Sequence, residues 1–321
     1  MRFALAIACL ALVLPAPAAF GWGYATHAFV ADELYKQGGA RNADEIYAAL
    51  APDMFNTAYD YEPLEYEELY ALVHYQADRM WDAARTGREK ALAFGFHTHS
   101  GDGGADQTAH HDGLTYGEGT GHVIQKASDM QAVLRFYELD LMTLLGLDPT
   151  YEPVELEVYH SILEYATEVL TVRIDPEIGL KIAEAAAERS RRFPSLFVDA
   201  YEVELEAILG EDASERIHAT EASFREEMMA YGMLLTFDEE TLLTVLTGHI
   251  AQYAEAELER LGVELPDGFD PVPLIGAYLD LAMVLCETDY AAELEATTGL
   301  VQEELAERGI FGSRDFVRAQ R

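Results

Sequence analysis

The sequence predicts an all-α protein. Apolar residues recur at helical spacing almost everywhere after Trp22, and no alternating run of β-branched residues is long enough for a strand. The breaks between periodic segments carry Gly, Pro and Asp turn chemistry.

In chain order, the periodicity predicts helices over His27–Gln37, Ala43–Ala51, Leu64–Thr86, Glu89–His99 and His122–Leu145. It continues over Leu156–Val172, Pro176–Arg191, Ser195–Leu209, Ala213–Leu235, Glu239–Leu261, Val272–Glu287 and Ala291–Arg308. GLDPTYEP before the sixth, RRFPS before the eighth and GVELPDGFDPVP before the eleventh read as helix connections, not flexible linkers. The expected organisation is a leader over 1–21, a helical metal-binding domain over 22–236, and a helical extension over 237–321 packed on that domain.

Met1–Gly21 opens with Arg2, continues through a short apolar stretch and ends Ala19-Phe20-Gly21, the pattern of a secretory signal peptide with an A-x-A-like cleavage site. Cleavage before Trp22 would make the protein secreted or periplasmic; a retained anchor is the competing reading. The mature chain would keep Cys286 as its single cysteine, so no intrachain disulfide is expected and the fold must stand on its core. Cys286 itself reads as a small buried apolar residue. No second segment is long and apolar enough to span a bilayer.

The formal charge is −37, with four lysines in the whole sequence. Such a surface repels polyanions, so nucleic acid is a poor default partner. A solvation surface suited to high salt accounts for the charge more simply than substrate attraction does.

Seven of the ten histidines fall between His27 and His122. Imidazole is the commonest metal ligand, and carboxylate joins it readily on zinc. The densest stretch, FGFHTHSGDGGADQTAHHDGLTYGEGTGH, places Asp102, Asp106 and His110 on one stripe if it is helical, with His99 able to extend it. Gly103 and Gly104 weaken a regular helix there. His97 and His111 sit off the stripe. His74 alone reads as a core histidine, and Asp53, after Pro52, as a turn cap.

The order Trp22, His27, Asp53, His74, His99, Asp106, His110, His122 resembles the zinc-dependent phospholipase C family and its relatives, the single-strand-specific zinc nucleases. The likeness is carried by Trp22-Gly-Tyr-Ala-Thr-His27 and Ala51-Pro52-Asp53, and covers about 22–129. It implies a helical bundle with a cleft for up to about three zinc ions, where metal-activated water cleaves a phosphodiester. It further implies that the mature Trp22 binds zinc through its own amino and carbonyl groups. By position, Asp53 would be a ligand and would orient the water; His27, His74, His99, Asp106, His110 and His122 would be ligands.

Two features differ from the family pattern. His99 and Asp102 are three residues apart whereas Asp106 and His110 are four apart, so Asp102 and Asp106 are both carried, Asp106 preferred. One turn after His122, where the family has a carboxylate, stands Lys126. Either Lys126 contacts substrate phosphate in place of a metal, or it is a solvated residue on a helix whose metal site is degenerate. The expected function is phospholipase C-like hydrolysis, with peripheral membrane contact. A single-strand nuclease and a zinc-binding module without turnover are the alternatives.

Overall fold

The computed structural model describes residues 22–36, 42–56, 61–114, 119–260, 263 and 268–311. The expected leader over Met1–Gly21 lies outside the described residues. Among the described residues the fold is all-α, with no strand.

The described residues hold fifteen α-helices: α1 Tyr24–Lys36, α2 Asn42–Leu50, α3 Pro63–Tyr75, α4 Asp78–Ala83, α5 Gly87–His99, α6 Ala105–His110, α7 His122–Phe136 and α8 Leu141–Leu145. They continue as α9 Glu152–Ile174, α10 Ile178–Glu188, α11 Phe193–Leu209, α12 Ala213–Leu234, α13 Glu239–Arg260, α14 Val272–Glu287 and α15 Tyr290–Glu307. A 3-10 turn, Ala51–Phe55, follows α2 directly.

α9 is the axis of the molecule. It packs against α1, α7, α13 and α14, and also touches α10 and α15. A helix ringed in this way is apolar on most sides, and Val158, Ile162, Leu163, Ala166, Val169 and Leu170 are all buried. The helices after Phe237 therefore lie on the same core, α15 packing against α1 and α6.

Two predicted helices are broken. The segment expected over Leu64–Thr86 divides into α3 and α4 at Gln76 and Ala77, with Gln76 outside helical geometry. The segment expected over His122–Leu145 stops at Phe136, because Glu138 takes a left-handed backbone (φ 58°) and Asp140 caps α8 through Thr143 N–H. Apolar periodicity runs across both breaks and does not register them.

α5, which carries His99, starts at a capping box that Thr86 and Glu89 form reciprocally. It lies so close to α2 that a Cβ on Gly95 would fall 2.0 Å from the Glu45 carbonyl oxygen. Only glycine permits this approach, which brings His99 against the end of α2.

Candidate metal centre

Six residues singled out by the sequence converge, all buried: Trp22, His27 on α1, Asp53 in the 3-10 turn, His74 on α3, His99 on α5 and Asp106 on α6. Asp106 is the shared member. Its Oδ1 lies 3.2 Å from His27 Nε2 and 3.3 Å from the Trp22 backbone nitrogen, and its Oδ2 lies 3.3 Å from His99 Nε2 and 3.5 Å from His74 Nε2. Asp53 Oδ1 faces His74 Nε2 at 3.5 Å and His99 Nε2 at 3.6 Å.

Backbone carbonyls fix how two of the rings face the cluster. His74 Nδ1 donates to the Tyr70 carbonyl at 2.9 Å, and His99 Nδ1 to the Ala49 carbonyl at 2.8 Å. A neutral ring that donates from Nδ1 offers a lone pair at Nε2. The two Nε2 atoms stand 3.1 Å apart among carboxylate oxygens. Lone pairs so placed repel unless a proton or a metal cation lies among them.

Both His27 ring nitrogens, Asp53 Oδ2 and Asp106 Oδ2 are buried without a hydrogen bond of good geometry. Leaving such atoms dry costs about 1–3 kcal/mol each. The trios His27–Asp53–His99 and His74–His99–Asp106 each bring their ligand atoms within 4.8 Å of one another. This donor set fits a cation.

Asp53 is itself held. Asn56 Nδ2 donates to Asp53 Oδ1 at 2.9 Å, and the Tyr66 hydroxyl donates to Asn56 Oδ1 at 2.7 Å. The Tyr70 ring stacks on His74 at 3.8 Å and covers that side of the cluster.

Burial opposes charge on His99, but Asp106 and Asp53 outweigh it and raise the group to about 9. Burial and the adjacent His99 hold His27 below the usual imidazole range. Burial would raise Asp106, yet the imidazoles of His99 and His27 keep it well below the usual carboxylate range.

A second group lies beside the first. His110 Nε2 is 3.3 Å from His160 Nε2, and His160 Nε2 is 3.0 Å from Glu164 Oε1. His160 and Glu164 are one turn apart on α9, and neither Glu164 oxygen has a hydrogen bond of good geometry. Burial works against charge on His160, but Glu164 and Glu157 raise it to about 10. Burial also pushes Glu164 up, so the pair retains protons that a metal would displace. Burial, and then Asp53 beside the first group and Glu157 and Glu164 beside the second, raise the Tyr66 hydroxyl, so carboxylates of both groups act on this one side chain.

Three expected site residues fall elsewhere. Asp102 is 62% exposed on its side chain and pairs with Arg308 at 3.0 Å. The helix begins only at Ala105, after the left-handed Gly103 (φ 82°), so Asp102 never joins the stripe. His122 opens α7, but its Nε2 faces Asp289 Oδ1 at 3.4 Å and its ring lies 5.2 Å from the Trp22 indole. Lys126, 4% exposed, pairs with Asp289 at 2.8 Å and donates to the Leu285 carbonyl. It is therefore not a solvated residue, and its ammonium is engaged by Asp289 and the Leu285 carbonyl.

Sequence reasoning missed His160 and Glu164. A histidine followed by a carboxylate four residues later on a periodic helix was the available signal. It lay beyond the histidine-dense stretch. Asp106 and His110 do sit one turn apart on α6, but Asp106 serves the first group and His110 the second. His97 pairs with Asp78 at 2.6 Å, and His111 faces the Tyr75 hydroxyl at 3.4 Å. Among the described residues, no helix is long and apolar enough to cross a membrane.

No protein-family profile, curated protein sequence or solved structure matches this chain. The chemistry is therefore carried by the geometry of the site itself.

Proposed function

We propose that the protein is an exported, zinc-dependent phosphodiester hydrolase of phospholipase C type, with Trp22 as its first residue. One observation carries the reading: the Nε2 lone pairs of His74 and His99 meet Asp53 and Asp106 where the Trp22 nitrogen also arrives. Imidazole, carboxylate and amine donors together suit zinc. The same residues, in the same order, carry the resemblance to the zinc phospholipases C and the single-strand nucleases.

Bound zinc supplies Lewis acidity toward phosphate oxygens and lowers the pKa of water. The chain's own groups do the rest. Trp22, His27, Asp53, His74, His99 and Asp106 would hold metal in the first group, and His110, His160 and Glu164 in the second. Asp53 Oδ2 is buried without a hydrogen bond of good geometry while Oδ1 is tied through Asn56 to Tyr66, so Oδ2 would be the oxygen that takes the proton of an attacking water. The charge of −37 disfavours a polyanionic substrate and supports a phospholipid head group over single-stranded nucleic acid.

The test uses protein begun at Trp22 and loaded with zinc. Release of a phosphorylated head group and diacylglycerol from phosphatidylcholine vesicles supports the proposal. Cleavage of a single-stranded oligonucleotide without lipid hydrolysis would favour the nuclease reading. Zinc binding with no hydrolysis of either, or of a simple aryl phosphodiester, would leave a binding module.

A further inference from the structure

Glu168 is a buried carboxylate outside both ligand groups, on the central helix α9, one turn beyond Glu164. His160, Glu164 and Glu168 stand at i, i+4 and i+8, so one stripe of α9 runs from the second metal group toward the start of α1. There the Glu168 carboxylate takes the Ala25 N–H, with Oε1 at 2.8 Å and Oε2 at 3.0 Å, and the Tyr231 hydroxyl donates to Oε2. A carboxylate at this end satisfies an otherwise orphaned helix donor and complements the helix dipole.

Between the Ala25 N–H and the Trp22 nitrogen lie only Trp22, Gly23 and Tyr24. A Cβ on Gly23 would fall 2.2 Å from Glu168 Oε1, so the chain passes directly over the carboxylate. On the far side the Trp22 indole is fixed: Nε1 donates to Thr108 Oγ1 at 3.0 Å, Thr108 meets Thr297 at 2.8 Å, and the ring lies 5.8 Å from Tyr290. Clamped at the indole and at Ala25, the backbone nitrogen of Trp22 is left 3.3 Å from Asp106 Oδ1.

We propose that Glu168 is a positioning residue that seats the free amino group of Trp22 in the metal centre, acting through Gly23 and the Ala25 N–H. This rests on the reading above that the Trp22 amine is a metal ligand. It makes α9 the common support of both metal groups, through His160 and Glu164 on one side and Glu168 on the other.

The test compares zinc affinity, by chelator competition, and the visible spectrum of the cobalt-substituted protein in two full-length mature forms. One begins at Trp22; the other carries one extra residue ahead of it. In the first form Glu168→Ala should weaken one metal equivalent by about tenfold or more, the range for residues that orient ligands, and alter the cobalt spectrum. Glu168→Gln keeps an acceptor for the Ala25 N–H and should weaken it by no more than roughly threefold. In the extended form, whose nitrogen is already an amide, Glu168→Ala should add nothing. Gly23→Ala, which displaces the carboxylate without removing it, should reproduce the loss if Glu168→Ala does not fold. Equal losses in both forms, or wild-type affinity in both Glu168→Ala and Gly23→Ala, would overturn the positioning role. An extended form that binds zinc as well as the Trp22 form would instead overturn the amine-ligand reading, and this proposal with it.

Discussion

His99 Nε2 and Asp106 Oδ2 lie 3.3 Å apart, and the other oxygen of Asp106 faces His27 Nε2 at 3.2 Å. One carboxylate thus bridges imidazoles from α1 and α5, and any cation bound to either side shares it. Removing its charge should affect the whole first group and not one ligand alone.

Asp106→Asn should weaken zinc binding in the first group by about a hundredfold or more, since a ligand costs at least as much as the upper range for its outer partners, and leave the second group's metal in place. His160→Ala should remove metal from the second group only, leaving the first group's affinity within about threefold. Metal analysis of the two variants side by side checks the division. Parallel losses would mean that the groups are not separable.

Zinc affinity should rise with pH. His99, raised to about 9, and His160, raised to about 10, hold protons at neutral pH that metal must displace. Below these values each lost pH unit weakens binding; above about 10 the dependence flattens. Calorimetry in buffers of different ionisation enthalpy at pH 7 should register proton release, and its absence would contradict the assigned charges.

Much of this centre was legible in the sequence, and the reason is local. Trp22, His27 and Asp53 stand in short motifs, and His99, Asp106 and His110 occur in a stretch too rich in imidazole for surface or capping roles alone, whereas His74 reads alone as a core histidine and joins the set only through the resemblance. Lys126 was misread because four-residue spacing from His122 says which residues share a helix face, not what that face meets. It meets Asp289 on the turn after α14. His160 and Glu164 lie on α9, far along the chain, and only packing of α9 against α1 and α7 brings them to the site. The helices were read well where turn chemistry marked their ends. They were missed where a break carried no Gly or Pro signal, as at Gln76 and Glu138.

Lys126→Met should therefore leave zinc stoichiometry unchanged while destabilising the fold by about 2–3 kcal/mol, since Asp289 loses a partner that is itself buried. Thermal unfolding with parallel metal analysis tests this. Loss of zinc without loss of stability would return Lys126 to the site.

Acid should loosen α5 through Glu89. Burial would raise this carboxyl, but the Arg85 and Thr86 N–H groups and the Arg192 guanidinium hold it at about 2. A depressed folded-state pKa contributes stability above the unfolded value of about 4.5 that is lost as pH falls toward 2. Glu89→Gln should cost on the order of 2 kcal/mol at pH 7 and flatten stability against pH across that window. Urea titrations at pH 3 and pH 6 read the difference, and an unchanged slope would contradict it.

The measurement closest to the central claim is the zinc content of protein begun at Trp22, by elemental mass spectrometry after gel filtration, beside Asp106→Asn. The account predicts more than one zinc per wild-type chain, with Asp106→Asn losing the first group's metal while His110, His160 and Glu164 retain theirs. A wild-type chain that keeps no zinc, or an Asp106→Asn chain that keeps all of it, would contradict it.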